Sequence, residues 1–407
     1  MRYDVTVVGA GPAGSTTAKL LAANGIKVLL LDKERFPRDK PCGGGIPARV
    51  LHRYPYIVND TIIEAYSYGG TVYSPSLRFQ INAEKETPII ATTLRRNFDA
   101  ELVRFAREAG AVFQENVTVS DINITTEGVH VATAQGDGFD SSYLVGADGV
   151  HSFISKKTGL RSPGREQGIC ALQEFPVDAD VLDRYYTVKR RCLVHARFKQ
   201  MSGYGWVFPK KQHLNIGFGT IQPEAGSSQG LNVRQCYEEY VKYLREQDLI
   251  PPGLPDVPVK GGATPTHPLE KTYADRLLLV GDAGGFINPL SGEGIYYAMS
   301  SGELAAQTLI EAIQSNQWSE AFLSRYQSRW KKDFGKDLNL VYQILQRGGL
   351  ENRERVFEVA AQNKPLTDLL IGVMTGELGV NDNKYRLVRK FLFASFLSRF
   401  HRMKKET

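Results

Sequence analysis

Three aspartates in this chain stand where an apolar run stops beside glycine, and each is placed to hold a hydroxyl or a phosphate-bearing ligand. The clearest is Asp282, in Leu277-Leu-Leu-Val280-Gly281-Asp282. Leu277 to Val280 predict a buried strand, and a helix opens near Gly294-Ile295 after a loop that carries Pro289. A strand that ends at Gly-Asp and leads to a helix start assembles an anion site from backbone N–H groups. Asp282 can then take a sugar hydroxyl, while Gly294 and Ile295 offer backbone to a phosphate or a ring carbonyl. Asp32 has a different setting. Tyr3–Val8 predicts a strand, Gly9-Ala10-Gly11-Pro12-Ala13-Gly14 a tight turn, and an Ala/Leu-rich stretch a helix to about Asn24. A second strand, Ile26–Leu31, ends on Asp32 and Lys33. The three glycines permit a tight turn, close approach of a pyrophosphate, and close helix–strand packing. An acid roughly 20 residues on takes a ribose hydroxyl. The third setting is Leu144-Val-Gly-Ala-Asp148-Gly149, another buried strand ending in Asp-Gly.

Composition bounds what such a ligand site can serve. A chain of 407 residues has room for two domains, and 42% hydrophobic with 23% charged residues is globular. The net charge of +6 leaves no nucleic-acid footprint but permits attraction to anionic membranes or acidic redox partners. The start enters the first strand at once, so no signal peptide is expected. No apolar run reaches the ~18 residues of a membrane span. Cys42, Cys170, Cys192 and Cys236 are scattered, which argues against a metal site and for a reducing cytoplasm. No Ser/His/Asp or paired-carboxylate arrangement stands out.

The order of the three aspartate motifs resembles the FAD-binding core of the flavin hydroxylase and geranylgeranyl reductase superfamily over roughly residues 1–330. Two further stretches narrow the resemblance. Lys40-Pro41-Cys42-Gly43-Gly44-Gly45 has three consecutive glycines that let backbone approach a planar ligand. Tyr204-Gly-Trp206-Val-Phe208-Pro209 puts three aromatics on one face of a strand. They are similar to the P-C-G-G-G and Y-x-W-x-F-P motifs of geranylgeranyl reductases, which reduce isolated double bonds of polyprenyl chains with reduced FAD. Arg95, in Arg95-Arg-Asn-Phe-Asp99-Ala-Glu-Leu102, matches the family's R-x-x-F-D-x-x-L at a helix start. The resemblance assigns it to the FAD phosphates or ribose, Val117 to the adenine, Asp148 to FAD or NADPH, and Asp282 to the ribityl chain.

The resemblance also implies a fold: an α/β, Rossmann-like FAD-binding domain over 1–60, 92–160 and 267–330. Interleaved with it is an antiparallel β-sheet substrate domain over 61–91 and 161–266, followed by a C-terminal helical region over 331–407. Gly45, Tyr204, Trp206, Phe208 and Pro289 are the expected substrate contacts. An isolated prenyl double bond takes hydride only with simultaneous protonation. Tyr204 or Trp206 could stabilise the resulting cationic character, and Cys42, or a water near it, could supply the proton. Cys42 has a second reading as a small buried residue of a flavin loop, and the aromatic row a second reading as sheet core. NADPH or reduced ferredoxin is the implied electron donor. The rival activity on this fold is an FAD monooxygenase, a hydroxylase or epoxidase. In the tail, Val388, Leu392, Phe396, Phe400 and Met403 fall on one helical arc flanked by basic residues. Such a helix either lies in a membrane interface or packs on its own domain; the first would make a cytoplasmic protein peripheral on the membrane.

Overall fold

The computed structural model describes residues 2–200, 203–222, 232–347 and 350–403. They form two compact units, each threaded by three segments of chain. The first gathers Met1–Lys40, Arg95–Glu166 and Thr264–Asn339; the second gathers Pro41–Leu94, Gln167–Ala263 and Leu340–Thr407.

The first unit is built on a parallel sheet in the order Leu277–Leu279, Gly138–Gly146, Arg2–Val8, Val28–Leu31, Val112–Gln114. Val129–Thr133 and Val119–Ile124 extend it antiparallel from Gly138–Gly146. Leu278 and Val280 enter one core with Val5, Val7, Val28 and Leu30. Leu277 and Leu279 enter the opposite one with Leu29, Leu31 and Leu144. Burial on both faces is why these stretches read as unbroken apolar runs rather than alternating ones.

Helices Pro12–Ala23 and Ile295–Gln314 cover one face and meet at small residues. A Cβ on Gly302 would stand 2.5 Å from the Ala13 carbonyl oxygen, and Thr17 Oγ1 donates to the Gly302 carbonyl at 3.2 Å. Gly281, at φ +57°, lies on the same Ala13. This contact joins the opening motif to one almost 270 residues later.

The second unit holds a sheet in the order Lys260–Thr264, Gln167–Pro176, His213–Gln222, Tyr204–Pro209, Cys192–Ala196, Gly69–Tyr73, Gln80–Glu84. Gly45–Pro47, Ile90–Thr92 and Ala65–Ser67 make a small separate sheet. One face of the large sheet carries Val207, Ile216 and Phe218 against helix Val233–Glu246. The other carries Val72, Ile81 and Ala83 against Val359, Leu366, Ile371 and Ala394 of the C-terminal helices.

Several sequence expectations change here. The first cofactor segment ends at Lys40, not 60, because Gly45–Pro47 pairs with Ile90–Thr92 in the second unit. Residues 331–407 are not one region. Phe334 packs on Phe286 at 5.4 Å, which ties Lys331–Gly335 to the first unit, while the later helices cover the second unit's sheet. The sheet is not purely antiparallel, since Cys192–Ala196 runs parallel to Gly69–Tyr73. Leu77, at φ +66°, closes a turn with its N–H on the Ser74 carbonyl at 2.9 Å, and the strand that follows begins at Gln80. No helix of the described residues is long and apolar enough to cross a membrane.

Candidate functional site

The glycine turn joins the strand Arg2–Val8 to the helix Pro12–Ala23, and its three glycines are required for different reasons. A Cβ on Gly9, at φ +104°, would stand 2.3 Å from the Ala147 carbonyl oxygen, and one on Gly14 would stand 1.8 Å from that of Gly9. Both are demanded by packing. A Cβ on Gly11 would meet only Arg38 Nη2, at 3.6 Å. The fold itself therefore leaves room at Gly11, as a close-lying pyrophosphate requires. Gly11 caps the helix without a side chain, with Pro12 opening the helix and Ala13 in its buried first turn. The first-turn N–H groups are thus left to face an anion.

Asp32 is buried and orders this turn. Its Oδ2 accepts from Ala10 N at 2.7 Å and its Oδ1 from Glu34 N at 2.9 Å. Each oxygen keeps a lone pair for a hydroxyl. Lys33 beside it is exposed. Val117 donates its N–H to the Asp32 carbonyl at 2.9 Å. It lies beyond the strand, which ends at Gln114, because Asn116 at φ +59° turns the chain.

Asp282 differs from both of its look-alikes. Its carboxylate has no hydrogen-bond partner among the described residues, and desolvation raises its pKa against the opposing charges of Lys40 and Arg95. A deep, unpaired carboxylate that keeps some solvent access is suited to receive ligand hydroxyls. Gly294 caps the helix beside it without a side chain, and the space where its Cβ would be lies 3.7 Å from Asp282 Oδ1. Ile295 is buried, Tyr296 N is already bonded to Glu293 Oε1 at 2.6 Å, and Pro289 is half-buried in the intervening loop.

Asp148 is occupied by its own loop. Its oxygens accept from Ser152 Oγ at 2.6 Å and Ile154 N at 3.0 Å. Arg95 is held too, by both oxygens of the fully buried Asp99 at 2.8 Å. Arg38 shares that carboxylate at 3.0 Å and is the guanidinium nearest Gly11. Arg38 has no spacing signal in the sequence; only the partner it shares with Arg95 reveals it.

In the second unit the Cys42-Gly-Gly-Gly segment lies across the aromatic row of Tyr204–Pro209. A Cβ on Gly43 would stand 3.0 Å from Trp206 Nε1, and one on Gly45 3.2 Å from Phe208. Gly44, at φ +74°, faces the Thr93 carbonyl. Cys42 is a free, half-buried thiol whose sulfur accepts from Gly44 N at 3.3 Å.

Beneath it runs a polar network. Trp206 Nε1 donates to Asn215 Oδ1 at 2.7 Å, and Asn215 Nδ2 donates to the Cys42 carbonyl at 3.3 Å and Glu174 Oε2 at 2.9 Å. Lys210, also fully buried, pairs with the same Glu174 oxygen at 2.6 Å. The indole is therefore packed rather than displayed. Trp206 is 4% exposed and lies over Gly217, where a Cβ would come 2.1 Å from its ring. Tyr204 and Phe208, its half-buried neighbours at 5.5 and 6.5 Å, hold the more open positions of the row.

Residues 2–335 match the family described as FAD binding domain. The chain is 34% identical over 349 residues to digeranylgeranylglycerophospholipid reductase 1 of Methanopyrus kandleri, covering 82% of this chain and 87% of that one. The chain belongs to the geranylgeranyl reductase family of FAD-dependent oxidoreductases. It is likewise 30% identical to the digeranylgeranylglycerophospholipid reductase of Methanocaldococcus jannaschii, over 81% of this chain and 82% of that one. A solved structure of a geranylgeranyl bacteriochlorophyll reductase-like protein from Thermoplasma acidophilum shares the fold. Its TM-score is 0.76 at 22% identity, covering 94% of this chain and 98% of that one. Two observations fit the family's FAD: the room at Gly11 under a side-chain-free helix start, and the unpaired Asp282 carboxylate. Asp32 orders the glycine turn while each of its oxygens keeps room for a hydroxyl, and Asp148 is taken up by its own loop.

Proposed function

We propose that this protein hydrogenates isolated C=C bonds in the polyprenyl chain of a lipid, pigment precursor, quinone or prenyl diphosphate. The observation that carries the reading is the likeness, at 34% identity over most of both chains, to a reductase named for digeranylgeranylglycerophospholipid. FAD, when bound and reduced, supplies hydride to the double bond. The residues of this chain do the rest. Gly11, Asp32 and the Arg38–Asp99–Arg95 cluster hold the dinucleotide, and Asp282 orders its hydroxyls. Cys42, fixed through its carbonyl by Asn215, is the proposed proton donor, and Tyr204 and Phe208 the proposed apolar surface for the chain. An apolar surroundings for that proton transfer keeps water from capturing a cationic carbon.

The electron donor on this reading is NADPH or reduced ferredoxin. Lys33, Lys40, Lys156 and Arg161 gather around His151 and lower its pKa after desolvation, a positive field that suits a negatively charged donor. Contact with a membrane surface is supported by Tyr385, Val388, Leu392 and Phe393, which helix Val380–Met403 leaves 58–79% exposed among basic residues. Of the arc expected from sequence, the side chains of Phe396, Phe400 and Met403, and residues 404–407 altogether, lie outside the described residues. The reading is tested by anaerobic incubation with dithionite and a panel of prenyl compounds. Mass spectra should show gains of two hydrogens per bond. An oxygen-dependent gain of one oxygen atom, with no reduction, would assign the chain to the monooxygenases instead.

A further inference from the structure

Away from the Cys42 loop, the second unit contains two arginines that no carboxylate among the described residues answers. Arg197 follows strand Cys192–Ala196 in the left-handed region at φ +48°, its N–H bonded to the Gly203 carbonyl at 2.8 Å. Its Nε is buried and has no hydrogen-bond partner. Arg353, on helix Leu350–Ala361, donates one N–H to the Leu345 carbonyl at 2.8 Å. Among the described residues neither guanidinium has a carboxylate within ion-pair distance.

Arg353 sits beside the end of this strand: its neighbour Glu354 accepts from Ser74 Oγ at 2.9 Å and Ser76 N at 3.1 Å, just past Tyr73, which pairs with His195 two residues before Arg197. Those bonds keep Glu354 engaged, and Glu239 pairs with Lys199 at 2.7 Å. Both arginines are half-buried, desolvation lowers the pKa of each, and the charge of Arg353 lowers that of Arg197 further. Two like charges withdrawn from water without a counter-charge are costly, and an anion between them removes the cost. The fork geometry of guanidinium matches phosphate.

Position supplies the rest. Ala196, which precedes Arg197, pairs with Tyr204 across the sheet. Arg197 is therefore at the Tyr204 end of the aromatic row, while Gly43 and Gly45 lie at its Trp206–Phe208 end. The row spans about 13 Å along the strand. We propose that Arg197 and Arg353 form a binding site for the phosphate group of the substrate, holding its anionic head at one end of the row while the apolar tail runs toward Cys42. The ligand class rests on the prenyl reductase reading; the anion site itself rests on the two arginines.

The test uses the FAD-loaded protein, with FAD content measured by absorbance to show that each variant is intact. Binding is compared for geranylgeranyl diphosphate, for digeranylgeranylglyceryl phosphate in neutral detergent micelles, and for the uncharged geranylgeraniol. Arg197→Gln and Arg353→Gln should each weaken phosphate-bearing ligands by about ten- to a hundredfold and leave geranylgeraniol within twofold. Arg197→Lys should recover part of the loss. Loss confined to the micellar lipid, or to the free diphosphate, identifies the source of the phosphate and supports the site in either case.

Inorganic pyrophosphate should also protect both arginines from phenylglyoxal, read by peptide mass spectrometry, whether or not any prenyl compound is a substrate. Unchanged phosphate preference in both variants, or equal loss for the uncharged alcohol, overturns the site. Wild-type protein that reduces no prenyl compound, yet shows pyrophosphate protection, overturns the ligand class and keeps the site.

Discussion

At the scale of single residues, three aspartates with similar sequence settings carry three different loads. Asp32 and Asp148 accept hydrogen bonds from their own neighbourhoods, whereas the Asp282 carboxylate has no such partner among the described residues. Burial raises the Asp282 pKa, so the folded protein binds that proton more tightly than the unfolded chain. Stability contributed by this group is then greatest at low pH and falls as pH rises through the folded pKa. Asp282→Asn should therefore raise the melting temperature of FAD-free protein at pH 7. The gain should fade as pH drops below the ordinary carboxylate value of ~3.9. The same change should weaken FAD binding by about 1 kcal/mol or more. A variant that gains no stability at neutral pH while keeping full FAD affinity would remove Asp282 from the ligand site. Cys42 makes a separate case. Cys42→Ser should cut turnover at least tenfold with FAD content unchanged, since the serine keeps the backbone that Asn215 holds and removes only the proposed proton donor; normal turnover would reduce Cys42 to a packing residue.

At the scale of elements, the glycine turn distinguishes packing from ligand room. Gly14→Ala puts a methyl group 1.8 Å from the Gly9 carbonyl oxygen, with backbone on both sides. It should destabilise the fold by about 3 kcal/mol or more, through overpacking that cannot relax. Gly11→Ala meets only the end of Arg38. Its FAD-free melting temperature should match the wild type, while FAD content falls sharply; equal behaviour of the two variants would refute the distinction. In the large sheet of the second unit, His195 is fully buried, stacked on Tyr73 at 4.2 Å and bonded to Tyr240 OH at 2.9 Å. Desolvation pushes its pKa down to about 3. The unfolded imidazole binds a proton that the folded one refuses, so this contribution is intact above ~6.5 and lost as pH falls toward 3. The slope is at most about 1.4 kcal/mol per pH unit. His195→Phe should flatten that limb of an acid titration of unfolding free energy.

At the scale of the whole molecule, each unit is closed by chain far from where it begins. Val359, Leu366, Ile371 and Ala394 cover Val72, Ile81 and Ala83, so the C-terminal helices are part of the second unit's core. Truncation after Asn339 should leave a protein that aggregates or lacks a cooperative unfolding transition; a soluble, cooperatively folding fragment would contradict this. The membrane question needs a gentler change. Replacing Val388, Leu392 and Phe393 together by Gln removes exposed apolar surface only and should leave melting unchanged. Flotation with vesicles of phosphatidylcholine and phosphatidylglycerol should fall several-fold if this face meets lipid. Equal flotation of variant and wild type would dismiss the contact.

The motifs around Asp32, Asp148 and Asp282, and the strands that lead to them, were legible because their signals are local: apolar runs, glycine spacing and a terminal acid within about 30 residues. The aromatic row was legible for the same reason, through the period of two in a strand. What sequence could not resolve was which groups were already satisfied. The partners of Asp148 are a few residues away in its own loop, those of Trp206 include Asn215 on the next strand, and Arg38 shares Asp99 across 60 residues. Hydrogen-bond saturation is a property of three-dimensional neighbours, as is the absence, among the described residues, of a counter-charge at Arg197 and Arg353. The division at Lys40 and the splitting of the tail after Asn339 have the same origin, since strand pairing and face burial, rather than local periodicity, decide to which core a segment belongs.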